Sequence, residues 1–221
     1  MISLICVYNR RDVLEDCLLK SIRQQTAQPE LLLIDNTTRR FASAAEPLNQ
    51  AAADARGDYL LFVHQDIDLG PPSCLEDAHQ MLGNIPRLGI AGAAGARRSP
   101  RGGLQVVTNI RHGEPPRPTG NRSLARPEEV QTIDECLAFI PRIVFGSLRF
   151  DEGLRDGYHL YGVDYSLAAA SMGLSAWVLP LPCWHRSRGT ADRSLLRAVL
   201  SPGPYPDAYY QTLARLLRKH R

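Results

Sequence analysis

The residues best equipped for chemistry gather in Val63-His-Gln-Asp-Ile-Asp68, where an apolar run ends in a histidine and two carboxylates. Carboxylates at the end of a buried strand are costly unless they bind something. Oxygen ligands on a tight turn suit Mg2+ or Mn2+, and such an ion suits a diphosphate. The plainer reading is a polar turn with Asp68 capping the next segment, and the spacing leaves both open. Asp35-Asn36 ends a second apolar run. Its carboxylate can accept hydrogen bonds from a base or ribose, or close an Asx-turn. Asp164 falls in the first turn of an expected helix, where the helix dipole favours an acid in any case; its chemical reading is a general base. His185, in Cys183-Trp-His-Arg-Ser-Arg-Gly-Thr190, is either a structural histidine or a metal ligand or phosphate partner. Arg97, Arg98 and Arg101 form a basic run that can clamp an anion, with a solvated loop as the simpler account.

The elements that must position these groups follow from periodicity. Ile2 to Val7, Leu31 to Asp35 and Tyr59 to Val63 are short apolar runs that predict strands, and Leu88 to Ala94 a fourth. Between them, Asp12 to Gln25 places Val13, Leu14, Cys17, Leu18 and Ile22 on one helical face. Glu46 to Arg56, closed by Gly57, predicts a helix, and Ser73-Cys-Leu-Glu76 has the pattern of a capping box opening another to about Leu82. Strand and helix in alternation imply parallel strands covered by helices. In such sheets ligands bind beyond the carboxyl ends of the strands, which here are Tyr8-Asn9, Asp35-Asn36 and His64 to Asp68. After Ala94 the pattern degrades. Arg97 to Gly103 reads as a basic loop, and 112–127, with four prolines and three arginines, as an irregular excursion. Val163 to Met172 predicts a helix, Ala176 to Leu181 a strand and Asp207 to Arg221 a final amphipathic helix.

Bulk properties exclude several classes. The chain has 221 residues with a net charge of +3, which gives no argument for nucleic acid or an anionic membrane. The five cysteines are odd in number and widely spaced, against a disulfide framework or structural zinc, and suggest a reducing, cytoplasmic setting. No apolar run is long enough for a membrane span or signal peptide. The basic end of the last helix allows at most a peripheral membrane contact, and the helix dipole explains those charges equally well.

Taken together, ISLICVYNR, SIRQQT with LLLIDN, LNQAAADARGDYLLFVHQDID, LGIAGAAG, LRFDEGLRDGYHLYGVDYSLAAASMG and WHRSRGT resemble the family 2-like glycosyltransferases, in a branch of small bacterial proteins. The resemblance covers roughly residues 1 to 190. It implies an α/β, GT-A type fold with a mostly parallel central sheet flanked by helices. The chain then reads as one domain: 1–95 the nucleotide-sugar half, 96–190 the acceptor half and 191–221 a helical extension. The resemblance also implies that Tyr8, Asn9, Asp35, Asn36, Arg56, Gln65 and Asp66 hold the donor. Asp66, His64 and His185 would hold Mn2+ or Mg2+, Asp164 would be the catalytic base, and Asp134 and Trp184 would face the acceptor. His64 stands where the family's first motif acid is expected, and Gly162 departs from an expected Tyr-Asp-Ile-Asp.

The activity so implied is inverting transfer of a sugar from a nucleotide-sugar, uridine being the commonest base, to a hydroxyl on a glycan, lipid-linked sugar, peptide or small natural product. The 97–127 region could close over the acceptor as a lid. The alternatives are a non-catalytic nucleotide- or sugar-binding module, and a nucleotidyltransferase. The latter wants a Gly-rich loop after the first strand, and Val7-Tyr-Asn-Arg-Arg11 lacks glycine.

Overall fold

A computed structural model describes residues 1–100, 102–119, 124–154, 158–186 and 207–220. The first half runs β1 (Ile2–Tyr8), α1, β2 (Glu30–Asp35), α2 (Ala45–Asp54), β3 (Tyr59–Val63), β4 (Ile67–Asp68), α3 (Cys74–Gly83) and β5 (Leu88–Gly92). The helical stretch α1 joins Arg11–Val13, Leu14–Leu19 and Lys20–Ile22, with a π-helical middle. The second half runs β6 (Ala94–Arg98), β7 (Leu104–Thr108), β8 (Arg111–His112), β9 (Arg117–Pro118), β10 (Glu128–Val130), β11 (Thr132–Ile133), β12 (Leu137–Pro141) and α4 (Arg142–Phe145). It continues with α5 (Tyr161–Ser171), β13 (Ser175–Val178), β14 (Trp184–His185) and α6 (Asp207–Lys219).

Seven strands form the central sheet in the order β10-β13-β5-β12-β3-β1-β2. β1 is parallel to β2 and β3, and β5 to β13, while β12 lies antiparallel between β3 and β5. β10 is antiparallel to β13. Most strands therefore share one direction, as expected for this fold class. The fourth strand of the sequence does not pair with the third, because β12 is inserted between them. Leu137 to Ile140 are all buried, the mark of a strand covered on both faces.

The period of two divides each central strand between two cores. Leu4, Cys6, Leu61 and Val63 pack with α1 and α3; Ile5, Leu60 and Phe62 pack with α2 and α5. The five cysteines are buried free thiols. Two small sheets, β11-β6-β7 and β4-β14-β8-β9, flank the large one.

Two local expectations change. Ser73 makes no capping bond; its hydroxyl donates to Asp77 at 2.7 Å, and Glu76 instead accepts from Thr26 at 3.1 Å. The basic loop starting at Arg97 is partly a hairpin. Arg97 and Arg98 lie in β6, paired to β7, and the Arg97 guanidinium is held by Gln105 at 3.0 Å and Glu128 at 2.9 Å. Arg101 lies outside the described residues.

Candidate functional site

The carboxyl ends of β1 and β3 are tied together by one side chain. The Gln65 carbonyl oxygen accepts from the backbone N–H of Asn9 at 3.1 Å and of Arg10 at 3.0 Å, and its amide donates to Asn9 Oδ1 at 2.8 Å. Gln65 and Asn9 thus spend their polar groups fixing the two loops against each other.

His185 reaches this corner from far along the chain because β14 pairs antiparallel with β4, setting His185 opposite Ile67. The Arg186 N–H donates to the Asp66 carbonyl at 2.9 Å and locks that register. The approach also requires Gly70: it has φ +73°, and a Cβ there would lie 2.2 Å from the Pro182 carbonyl oxygen. His185 Nε2 lies 3.3 Å from Asp66 Oδ1. One ligand atom each from His64, Asp66 and His185 falls within 4.8 Å of the others. Donors about 2 Å from a shared ion lie roughly 4 Å or less apart, so two imidazoles and a carboxylate fit a divalent metal with a small inward adjustment. His64 and His185 have ring centroids 5.8 Å apart, and His112 extends the series at 5.1 Å from His185.

Electrostatics suit the same reading. Burial, reinforced by His185, pushes the His64 imidazole down to about 4, leaving it neutral as a metal ligand must be. Burial alone would raise Asp66, but the hydrogen bond from His185 and the two nearby imidazoles outweigh it and hold the carboxylate below its usual range.

One strand away, Asp35 is exposed and organised. Thr37 donates its hydroxyl and N–H to Oδ1 at 2.7 and 2.8 Å, and the Tyr8 hydroxyl donates to Oδ2 at 3.0 Å. These bonds, Thr37 first, hold the carboxyl at about 2. Arg11, not anticipated as a site residue, donates to the Tyr8 hydroxyl at 3.1 Å and lies 3.4 Å from Asp35. Its signal was position alone, directly after the first strand.

Four expected site residues stand differently. Asn36 is buried and spent: its amide donates to the Phe41 carbonyl and the Tyr158 hydroxyl, and its oxygen accepts from the Phe41 N–H. These bonds close the loop from Asn36 to Phe41. Arg56 precedes β3 and so sits at the amino edge of the sheet, opposite the site. There it pairs with Glu30 at 2.6 Å. Trp184 donates its indole N–H to the Gly113 carbonyl at 2.8 Å, and the Arg186 guanidinium covers its ring at 5.0 Å. Asp164, the expected base, has a side chain only 4% exposed. Its oxygens are held by Lys219 at 2.9 Å and His220 at 2.7 Å from the end of α6.

Asp134 lies on the turn before β12. Its N–H donates to the Ala94 carbonyl at 3.0 Å, and its Oδ1 accepts from the Cys136 N–H at 3.0 Å. The Cys136 carbonyl in turn accepts from the His64 N–H at 3.0 Å. Tyr161, also missed as a site residue, bridges the two halves: its hydroxyl donates to the Glu135 carbonyl at 3.3 Å and lies 3.5 Å from His64 Nε2. Phe150 supports it, with ring centroids 5.1 Å from Tyr161 and 4.8 Å from Phe62. Asn49 on α2 holds the Phe150 backbone through both ends of its amide, at 2.9 and 3.1 Å.

Comparisons with known proteins bear on the fold and the family. The GalNAc-T7 structure with UDP, GalNAc and Mn2+ matches with a TM-score of 0.62 at 11% identity, covering 86% of this chain and 44% of that one. The mannosyltransferase PcManGT from Pyrobaculum calidifontis, in complex with GDP-Man and Mn2+, matches with a TM-score of 0.56 at 17% identity over 97% of this chain and 69% of that one. TarS from S. aureus with UDP-GlcNAc matches with a TM-score of 0.59 at 14% identity over 97% and 65%. This chain therefore spans about half to two thirds of the solved structures it matches, and the likeness establishes the GT-A fold. A sequence relative from Fuscovulum blasticum, ATP synthase subunits region ORF 6, is 25% identical over 199 residues, covering 87% of this chain and 78% of the relative. The model of the glycosyltransferase-like family matches residues 3–187, the span that contains β1 with Tyr8, the His64-Asp66-His185 cluster and Asp164. The chain belongs to the glycosyltransferase-like family.

Proposed function

We propose that the protein transfers a sugar, with inversion, from a nucleoside-diphosphate sugar to a hydroxyl-bearing acceptor. The observation that carries this reading is the cluster of His64, Asp66 and His185 at the carboxyl end of β3, one strand from the Tyr8-Asp35-Arg11 corner. The cluster suits a divalent metal and diphosphate; the corner offers hydrogen-bond acceptors and a guanidinium to a base and ribose. UDP in GalNAc-T7 and UDP-GlcNAc in TarS favour a uridine donor over the GDP-Man of PcManGT.

Mn2+ or Mg2+ would be held by His64, Asp66 and His185, and when bound would neutralise the charge that grows on the departing diphosphate. The partly buried setting of these residues strengthens charge interactions there relative to open water. Tyr8 and Asp35 orient the nucleoside, so that the anomeric carbon faces the second half of the chain. Transfer is a single displacement: the acceptor oxygen attacks, the diphosphate leaves from the opposite face, and one carboxylate takes the hydroxyl proton. No protonated side chain is needed for the leaving group. A double displacement would need a nucleophile on the donor's other face, and none stands out among the described residues.

Incubation with UDP-, GDP- and dTDP-sugars and Mn2+, followed by release of nucleoside diphosphate, tests the reading. Release of one diphosphate, lost in Asp66→Asn, is expected. Binding of nucleotide with no release from any donor would favour a non-catalytic module.

A further inference from the structure

We infer that α6 holds the protein in an inhibited state, with Lys219 and His220 seated on Asp164, and that turnover requires this helix end to leave. This rests on the transfer reading above, with Asp164 as the carboxylate that takes the acceptor's proton.

Asp164 belongs to the working end of the molecule. It stands one turn along α5 from Tyr161, whose hydroxyl lies 3.5 Å from His64 Nε2, and residues three apart on a helix share a face. The start of α5 is fixed without help from α6. The Leu160 N–H donates to the Glu135 carboxylate at 2.9 Å. At Gly162 a Cβ would lie 3.0 Å from the Ile133 carbonyl oxygen and 3.2 Å from the Glu135 nitrogen, so this helix start sits directly on the turn leading into β12. β12 pairs with β3, the strand that ends at the metal cluster.

A base must come within about 2.6–3.2 Å of the oxygen whose proton it takes. In the seated state nothing can. Lys219 Nζ lies 2.9 Å from Asp164 Oδ2, His220 Nε2 lies 2.7 Å from Oδ1, and the Asp164 side chain is only 4% exposed. Both oxygens are taken, and an acceptor hydroxyl has no approach while α6 is in place.

The helix that shuts this acid is lightly held. Tyr209 and Leu216 of α6 are buried with Leu160 in an apolar cluster separate from the two cores of the sheet. Lys219 also pairs with Asp151 at 2.7 Å, and Arg215 donates to the Gly153 carbonyl at 2.7 Å, both with exposed partners. Ties of that exposure contribute little. A helix of 13 residues is marginal alone in water, so its seat is what keeps α6 in order. Few buried contacts and exposed polar ties mark a segment that opens while the rest of the fold stays closed. The family model, moreover, matches residues 3–187, which include Asp164 and exclude α6. The acid is part of the family's shared unit; the helix seated on it is not. A released state populated at about 1–10% scales turnover by that fraction, so full release raises kcat about 10- to 100-fold.

The test compares full-length wild type with Lys219→Ala/His220→Ala, with Arg215→Ala, and with the first pair plus Asp164→Asn. The readouts are diphosphate release from UDP-glucose, GDP-mannose and dTDP-glucose with Mn2+ and water as acceptor, affinity for the nucleoside diphosphate, and hydrogen exchange of the α6 amides. The double variant is expected to raise kcat about 10- to 100-fold, with faster α6 exchange and nucleotide affinity within about twofold of wild type. Arg215→Ala removes an exposed tie outside the apolar cluster, so it leaves the fold intact and is expected to move turnover and exchange in the same direction by less. Adding Asp164→Asn, with no cation left unpaired, is expected to lower kcat about 10²- to 10⁴-fold below the double variant. Faster α6 exchange with turnover unchanged or reduced would overturn the inference and leave the transferase reading intact. So would unchanged exchange in both variants, or a gain that survives Asp164→Asn. Wild type and variants that all bind nucleotide but turn over no donor would overturn the transferase reading, and the inference with it.

Discussion

Glu30 shows how much local bonding one carboxylate can gather. It accepts from the Ser3 hydroxyl and from the Arg56 N–H and guanidinium, in that order of importance, and these hold it at about 2 against an ordinary 4.5. The stability this contributes is fully present above about pH 4.5 and is lost as pH falls through about 2. Glu30→Gln is therefore expected to lower the melting temperature at neutral pH and to flatten its decline between pH 5 and 2, as read by thermal unfolding across that range. Equal slopes in both proteins would contradict it. The same pair engages Arg56 away from the His64-Asp66-His185 cluster. Its place before β3 fixes it at the amino edge of a parallel sheet, where Glu30 waits at the start of β2. His64, Asp66, Asp35 and Tyr8 stood out as candidates in the sequence because each lies at the end of a recognisable strand. The contacts of Asn36 and Asp164 were not legible, because their partners, Phe41 with Tyr158 and Lys219 with His220, are not announced by any local pattern. A polar residue after a strand or at a helix start has the same local signature whether it binds a ligand or closes the fold.

Elements align these residues through a few contacts between the halves. The Phe150 ring meets Phe62, Phe145, Tyr161 and Tyr165 at 4.8, 5.4, 5.1 and 5.3 Å, and its backbone is held by Asn49. Phe150→Ala is expected to cost about 3–5 kcal/mol and to weaken nucleotide affinity as well, since Tyr161 loses the ring that steadies its hydroxyl near His64. Denaturant unfolding measures the first and calorimetry the second; a loss under about 1 kcal/mol would contradict the packing account. The strands and helices of the first half were readable from periodicity because each is a clean apolar stripe. The insertion of β12 was not, since β5 and β12 are both buried apolar strands and local pattern does not say which of them lies beside β3. The pairing of β14 with β4 was equally hidden, resting on a close approach at Gly70 that no local pattern announces.

Across the whole molecule, strands from both halves share one central sheet. No helix of the described residues is long and apolar enough to cross a membrane. At the basic end of α6, Lys219 is paired with Asp151 and Asp164, while Arg218 beside it is exposed. The GT-A architecture was legible from alternating strands and helices with chemistry at one end; the seating of α6 was not, because an amphipathic helix reveals its apolar face but not the surface that receives it. The account stands on a metal-assisted nucleotide site at the carboxyl ends of β1, β2 and β3. Its most direct test is thermal unfolding of wild type and Asp66→Asn with UDP, GDP, dTDP, CDP and ADP, each with and without Mn2+. A ligand that binds only the folded state raises the midpoint by mass action. The expected result is a rise with one nucleotide, UDP foremost, that needs Mn2+ and disappears in Asp66→Asn; no shift with any nucleotide at millimolar concentration would contradict it.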